Sequence, residues 1–322
     1  MSVEAAVRAK AEAALSRQRL PLPAALSANR IHWPAAIALV LFHLGATLAF
    51  WPFFFSWSGV VVALLGLYVF GTLGINLCYH RLLTHRGFVC PKWLEYSFAI
   101  LGMCCLQHTP AYWVAIHRRH HQFADAQDDP HSPLAGFFWG HFGWVVANND
   151  DLKDSVVTQR YAKDLIRDPF YAGLENSVAA VVIILASWAF FFVAGFAASW
   201  LMGGTLDEAV QFGASIFVWG VFVRTVLVWH ISWSVNSIAH LWGYRNYATG
   251  EGSRNNFFVG FISNGEGWHN NHHAHPNAAM HGHRWWEFDV TYRTIRILAL
   301  LGLARDIVMP PRYTADSGEG GQ

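Results

Sequence analysis

Charged residues are scarce in this chain of 322 residues. Asp, Glu, Lys and Arg make up 13% of the sequence, whereas soluble domains average roughly 25%. Hydrophobic residues reach 54% and aromatic residues 16%, so much of the surface that normally faces water is missing. A formal net charge of +1 provides no global field for nucleic acid. The composition therefore excludes a nucleic-acid-binding protein and favours a membrane protein.

Several common signals are also missing. The four cysteines form no C-x-x-C pair, which indicates reduced, mostly buried thiols rather than a disulfide framework. Residues 1–31 contain no short apolar run with a small-residue cleavage site, so we expect no secretory signal. There is no H-P-G-G haem box and no G-x-G-x-x-G dinucleotide motif after a strand. Any redox chemistry would therefore take its electrons from a separate protein.

Four long apolar runs are present. They span about residues 34–53, 58–78, 177–201 and 213–235. Each run has about the 20 residues that a helix needs to cross roughly 30 Å of hydrocarbon. Short connections join the first run to the second and the third to the fourth. The sequence therefore predicts an all-α integral membrane protein with four transmembrane helices in two hairpins.

Positive charges lie on one side of this topology. Apart from Arg224, the Lys and Arg residues fall in 1–31, in 79–176 or after residue 240, and the two short turns contain none. By the positive-inside rule both termini and the long middle segment are cytoplasmic. The expected division is a cytoplasmic segment 1–33, a membrane-embedded domain 34–305 and a flexible tail 306–322.

Some stretches depart from the spanning pattern. The apolar segment 93–106 is too short to cross a bilayer and is interpreted as a re-entrant or in-plane helix. Arg224, inside the fourth run, should face the protein interior and have a partner there. Residues 1–31 are polar and Ala-rich, which suits either an amphipathic surface helix or a disordered segment. The Gly-rich residues 313–322 are expected to be disordered.

Half of the 18 histidines lie in four groups. They are His80 and His85; His117, His120 and His121; His240; and His269, His272 and His273. All four groups fall on the predicted cytoplasmic side, so a helical cap beneath the bundle can bring them together. Imidazole binds zinc, copper, iron and nickel, but a tetrahedral zinc takes only about four ligands. Nine nitrogens therefore predict a site for two metal ions, with Asn236 as a further contributor one turn before His240.

The motifs of these groups resemble those of a known family. H-x-x-x-x-H, H-x-x-H-H, N-S-x-A-H and E-G-x-H-N-x-H-H occur in the order found in membrane fatty-acyl desaturases of the Δ9, stearoyl-CoA desaturase-like type. The resemblance covers roughly residues 34–305. It extends to Asp129-Pro130-His131, to the Gly-Phe-Phe-Trp run from Gly136 and to the run Arg284-Trp285-Trp286-Glu287-Phe288-Asp289.

The resemblance implies a diiron enzyme of the bacterial inner membrane with a cytoplasmic active site. Such an enzyme uses O₂, which is reduced to water, to place a cis double bond in a saturated acyl chain, here expected at Δ9. Removing hydrogen from an unactivated C–H bond requires an oxidising metal. The electron donor would be a ferredoxin, a rubredoxin or a cytochrome b5-like carrier.

The same resemblance implies roles for individual residues. The iron ligands would be His80, His85, His117, His120, His121, His240, His269, His272 and His273, with Asn236 completing the shell of the second iron through water. Asp129 and Glu266 are the preferred carboxylates for holding ligand imidazoles. For Asp125 and Asp128 that role is no more favoured than ordinary loop solvation.

The acyl chain would need a dry tunnel beside the metal site. By position, the tunnel-lining residues would be Gln107, Trp113, Ser232 and Trp233, with less support for Tyr79. The family's animal acyl-CoA members have charged residues before the H-x-x-H-H motif, where this chain has Ala115-Ile116. A basic pair after Gly-Trp is likewise replaced by the uncharged residues 145–149. Arg118 and Arg119 lie nearby, so acyl-CoA and a lipid-linked acyl chain are both open as substrates.

Two other functions share some of these features. A diiron membrane hydroxylase acting on fatty-acyl or alkane substrates uses the same ligand set and stops at an alcohol, so histidine counts do not separate it from a desaturase. A His-rich zinc transporter would place its ligands near the bilayer midplane. The histidine groups instead fall at or beyond the predicted cytoplasmic helix ends, which favours the enzyme.

Overall fold

The computed structural model describes residues 19–175 and 177–311. Residues 1–18 and 312–322, for which we expected a surface helix or disorder, lie outside the described residues. The described chain is mostly helical, as predicted. Four of its helices are long and apolar enough to cross a membrane. They are α1 (Trp33–Phe50), α2 (Trp57–Thr84), α8 (Val178–Leu201) and α9 (Leu206–Leu241).

The other helices are shorter. Between α2 and α8 lie α3 (Lys92–Met103), α4 (Pro110–Phe123), α5 (Asp154–Tyr161), α6 (Lys163–Ile166) and α7 (Pro169–Leu174). After α9 come α10 (Phe257–Ile262), α11 (His269–Ala274) and α12 (Val290–Leu300). Single turns occupy Pro133–Ala135, Trp139–Gly143 and Asp150–Leu152. The predicted segment 93–106 thus corresponds to α3, which packs along α2.

A small sheet was not predicted. Strand β1 (Leu26–Ile31) pairs antiparallel with β2 (Ala147–Asn149). Neither strand has a strong local signal, and their pairing depends on a partner more than a hundred residues away. The expectation of a surface helix or disorder is therefore wrong for residues 26–31.

Glycines allow the helices to approach closely. A Cβ atom at Gly74 of α2 would lie 2.3 Å from the backbone nitrogen of Gly102 in α3. A Cβ atom at Gly195 of α8 would lie 3.0 Å from the Cα atom of Gly213 in α9. Small residues at such positions are typical of helix contacts within membranes.

Arg224 is fully buried, as expected for an arginine inside an apolar run. Its Nε donates to the Gly220 carbonyl at 2.9 Å, and its Nη1 donates to the Cys104 carbonyl at 2.9 Å. The guanidinium also lies 4.2 Å from the ring centroid of Phe70. The partner that the sequence could not identify is therefore a pair of backbone carbonyls together with an aromatic face.

Candidate metal centre

The nine histidines singled out from the sequence lie together and form two groups. Within each group, one ring nitrogen from every histidine lies within 4.8 Å of the others. The first histidine group comprises His80, His85, His117, His121 and His272. The second histidine group comprises His120, His240, His269 and His273.

The end of α2 supplies His80 and His85 to the first group. Five residues correspond to about 140° around an ordinary α-helix, which would point the two rings in different directions. Residues Leu67–Thr84 instead form wider, π-helical turns, and the N–H of His85 donates to the carbonyl of His80. The two ring centroids consequently lie 4.9 Å apart. The wider turns bring the two histidines of H-x-x-x-x-H together.

Helices α4 and α11 each contribute to both groups. In α4, His117 and His121 belong to the first group and His120 to the second. In α11 the division is reversed, because His269 and His273 belong to the second group and His272 to the first. Around a helix, residue i+4 lies about 40° to one side of residue i, and residue i+3 lies about 60° to the other side. One helical turn can therefore serve two neighbouring metal ions.

The fourth span contributes to the second group. His240 lies near the end of α9, and its Nε2 is 2.9 Å from Nε2 of His269. Asn236 precedes His240 by one turn and lines the same cavity as His269. Asn236 is therefore close enough to the second group to contribute a ligand through a water molecule.

Buried carboxylates hold one ring in the first group and two in the second. Nδ1 of His80 donates to Glu266 at 2.5 Å, Nδ1 of His120 to Asp129 at 3.0 Å, and Nδ1 of His240 to Asp125 at 2.9 Å. With Nδ1–H committed to the carboxylate, Nε2 of each ring presents its lone pair to the group. Asp125 therefore belongs with Asp129 and Glu266, whereas Asp128 is exposed.

The donor set fits a metal ion. Nε2 of His80 lies 3.1 Å from Nε2 of His272, and Nε2 of His120 lies 3.4 Å from Nε2 of His273. Two nitrogen lone pairs at such distances repel each other unless a proton on one ring or a shared cation lies between them. Burial, reinforced by neighbouring imidazoles, lowers the pKa of His117 well below its ordinary value and that of His273 to about 3. These rings are therefore neutral, as metal binding requires.

Glu266 has further partners that fix its position. Arg81 donates to its Oε1 from Nη2 at 2.8 Å and also pairs with Asp289 at 2.8 Å. Burial disfavours the charged carboxylate, but Arg81, His80 and His281 more than offset this and hold the pKa of Glu266 well below its ordinary value. Glu266 is therefore an anion that balances the buried charge of Arg81.

Three buried side chains and one partly buried side chain beside the site were not singled out as site residues from the sequence. His281 lies 3.4 Å from Glu266, and His131 lies 3.7 Å from Asp129. Glu251 lies 3.7 Å from His273. Glu287 accepts from Asn271 of α11 at 2.8 Å and thereby fixes that helix. His131 and Glu287 fall inside motifs that matched the family, which was the only sequence signal for them.

A cavity of about 700 Å³ reaches the metal centre. The four predicted tunnel residues line it together with His80, His117 and His269. Nε2 of Gln107 donates to Ser232 at 3.1 Å, and Nε1 of Trp113 donates to Gln107 at 3.3 Å. The ring of Trp113 is stacked on His117 with centroids 5.0 Å apart. Tyr79 is instead buried in the core, with its hydroxyl 3.3 Å from the Ala99 carbonyl.

Long apolar helices and two clusters of imidazoles at the inner end of a cavity define a membrane protein with a site suited to metal ions. A family model described as fatty acid desaturase matches residues 55–299. The chain belongs to the fatty acid desaturase family and is an enzyme of that class.

Similar proteins cover most of the chain. The "sn-2 palmitoyl-lipid 9-desaturase" of Nostoc sp. (strain 36) is 40% identical over 83% of this chain and 87% of that protein. The "sn-1 stearoyl-lipid 9-desaturase" of Synechocystis sp. is 41% identical over 83% of this chain and 77% of that protein. The "Acyl-CoA 5-desaturase AL21" of Anemone leveillei is 41% identical over 80% and 74%. These names agree on desaturation but differ in acyl carrier and position, and they give no support to a transporter.

Proposed function

We propose that this enzyme introduces a cis double bond at Δ9 into a saturated acyl chain carried by a membrane lipid. Per double bond, one O₂, two electrons and two protons would be consumed together with the two substrate hydrogens, and two waters would be released. The supporting observation is the cavity of about 700 Å³, which brings an apolar tunnel directly to both histidine groups.

Two iron ions would occupy the two histidine groups. The five nitrogens of the first group and the four nitrogens of the second, with Asn236 through water, provide the ligands. Bound iron with O₂ supplies the oxidising power that an unactivated C–H bond requires. Asp125, Asp129 and Glu266 keep the ligand rings oriented with Nε2 deprotonated, which supports binding before any substrate enters.

The tunnel residues would position the substrate. Trp113 and Trp233 provide flat apolar walls, and the hydrogen-bonded pair Gln107 and Ser232 lines the same cavity. A chain that must bend around this pair cannot slide freely along the tunnel. One methylene pair would therefore be held beside the metal centre, which supports a single position of desaturation.

A lipid carrier is favoured over CoA by the charges around the cavity. Among the described residues that line it there is no Lys or Arg. Arg118, which the sequence left as a candidate for binding CoA, is engaged with Asp164 at 2.7 Å and with backbone carbonyls. The phosphates of CoA would therefore lack the cationic partners that normally bind them.

The helices support an inner-membrane topology with two hairpins. Helix α8 packs along the first part of α9, and α1 and α2 both pack against the middle of α9. Together with the distribution of Lys and Arg, this packing supports a topology in which both termini and the metal centre are cytoplasmic. A separate ferredoxin, rubredoxin or cytochrome b5-like protein would deliver electrons there.

Lipid analysis of a bacterial host that expresses the protein tests this function. We expect a new cis-Δ9 acyl chain in the membrane lipids, identified by gas chromatography and mass spectrometry. The matched control is His269→Ala, which should insert into the membrane and give no product. A hydroxylated chain in place of the alkene, or equal product from the control, would contradict the proposal.

A further inference from the structure

The cavity has an outer end as well as an inner one. Its lining includes Ala35, Ala38 and Leu39 of α1 and Val178, Val181 and Ile184 of α8. Val178 and Val181 are 79% and 55% exposed, although they also line the cavity. The cavity therefore opens to the outside of the bundle between α1 and α8. Both helices are apolar there and would face lipid.

Aromatic contact closes this opening at one end. Phe42 of α1 and Trp188 of α8 meet with ring centroids 5.7 Å apart. Leu39 and Ile184 lie one turn before these residues and line the cavity. From Val178 to Ile184 the gap extends about 9 Å along α8, given a rise of about 1.5 Å per residue. We call this gap, bounded by Ala35, Ala38, Val178, Val181 and the Phe42–Trp188 contact, the lateral slot.

The other end of the lateral slot is polar. His32 precedes α1, and His108, Thr109 and Asp154 line the cavity beside it. Thr109 donates to Glu175 at 2.9 Å. These groups offer hydrogen-bond donors and acceptors. The acidic side chains among them are those of Asp154 and Glu175. Such a rim suits the ester and glycerol oxygens of a lipid and disfavours a polyphosphate.

We propose that the lateral slot is the substrate entrance, through which the ester-linked acyl chain of a membrane glycerolipid enters sideways from the bilayer. This inference rests on the proposed function and adds the route and the carrier-binding site. The acyl chain passes between α1 and α8 towards Gln107 and Trp113. The glycerol ester stays at the rim formed by His32, His108, Thr109 and Asp154, so the lipid need not leave the membrane.

Paired tryptophan substitutions test the route. Val181→Trp places a large ring in the lateral slot. Val182 is 56% exposed and does not line the cavity, so Val182→Trp places the same ring on the neighbouring lipid-facing surface. We expect Val181→Trp to lower the fraction of desaturated membrane lipid at least tenfold, with iron content and protein amount unchanged. Val182→Trp should match the wild type. Ala38→Trp and Val40→Trp form a second pair on α1 with the same expectation.

Photochemical labelling tests the route without turnover. The purified protein is reconstituted with phosphatidylcholine that carries a diazirine near the end of one acyl chain, irradiated and digested. We expect label on the peptides containing Trp113 and Trp233 in the wild type and Val182→Trp, and a loss of that label in Val181→Trp. Tunnel labelling that survives Val181→Trp would overturn the lateral entrance, as would labelling by a stearoyl-CoA probe but not by the lipid probe.

The two proposals fail in different ways. A wild-type protein that makes no unsaturated product would contradict the desaturase function while the labelling pattern still reported the entrance. Normal desaturation by both Val181→Trp and Ala38→Trp would contradict the entrance and leave the function intact.

Discussion

Glu266 holds two other side chains of the site, His80 and Arg81. Its Oε2 accepts from His80 and its Oε1 accepts from Arg81, whose other end pairs with Asp289. One carboxylate thus fixes the tautomer of a ligand ring and compensates a fully buried guanidinium. Removing one partner from a buried ion pair leaves the other charge uncompensated, which is costly.

Glu266→Gln should therefore weaken iron binding by about 10- to 100-fold, because the neutral amide holds the His80 ring less firmly and leaves Arg81 partly unpaired. Competition with a coloured Fe²⁺ chelator measures the affinity. Asp128→Asn is the matched control, since Asp128 is an exposed carboxylate in the same part of the fold. Equal affinities for the two variants would show that Glu266 does not support the metal centre.

The spacing of histidines along the sequence was enough to single out the nine that converge. It was not enough for the groups around them. Asp125 and Asp128 looked equivalent in sequence, yet one holds His240 and the other is exposed. That distinction depends on where the loop after α4 meets the end of α9, and no local pattern encodes this contact.

At the scale of helices, the polar groups inside the bundle link elements that are distant in sequence. Nδ1 of His43 lies 2.7 Å from the Leu39 carbonyl, and Nε2 of His43 in α1 lies 2.9 Å from Nε2 of His230 in α9. Nδ1 of His230 lies 3.0 Å from Nε2 of His141, whose Nδ1 lies 2.9 Å from the hydroxyl of Ser237. This series of hydrogen bonds connects α1 and the turn Trp139–Gly143 to α9. It thereby holds α1 in position as one wall of the lateral slot.

His230→Phe should remove both imidazole contacts and lower the stability of the detergent-solubilised protein by about 1 kcal/mol, given about 0.6 kcal/mol for a typical hydrogen bond between membrane helices. Thermal unfolding of His230→Phe, His43→Phe and the double variant measures the loss of stability. Because the two residues share one bond, the double variant should lose less than the sum of the singles. Strict additivity would mean that the bond contributes nothing.

The apolar runs predicted which segments form long helices, but not where the helices end. The fourth run was expected to begin at residue 213 because Asp207 and Glu208 interrupt its hydropathy. The helix begins at Leu206, where Thr205 and Glu208 form a reciprocal capping box. This start signal is visible in the sequence, whereas the π-helical turns of Leu67–Thr84 have no such signal and depend on packing against α3.

For the whole molecule, the metal centre is a junction between elements that span most of the chain. Helices α2, α4, α9 and α11 all end or lie at the two histidine groups. Ions bound there would stabilise the folded state, because the unfolded chain has no preformed site for them. Metal binding should therefore contribute to the stability of the entire protein.

Removing iron with a chelator should lower the melting temperature, and adding Fe²⁺ should restore it. When free iron is at 100 times its dissociation constant, binding at one site raises the free energy of unfolding by about 2.7 kcal/mol. The control is the double variant His120→Ala with His273→Ala, which loses half of the second group and should show a smaller shift by differential scanning fluorimetry. An identical melting temperature with and without iron would contradict this linkage.

The division of α11 between the two histidine groups has a consequence for how the centre assembles. His269 and His273 point to one group while His272, between them, points to the other. If each group held an ion, one helical turn would contribute ligands to both, and a local unwinding of α11 would disrupt both sites at once. Metal occupancy of one group should consequently strengthen metal binding at the other.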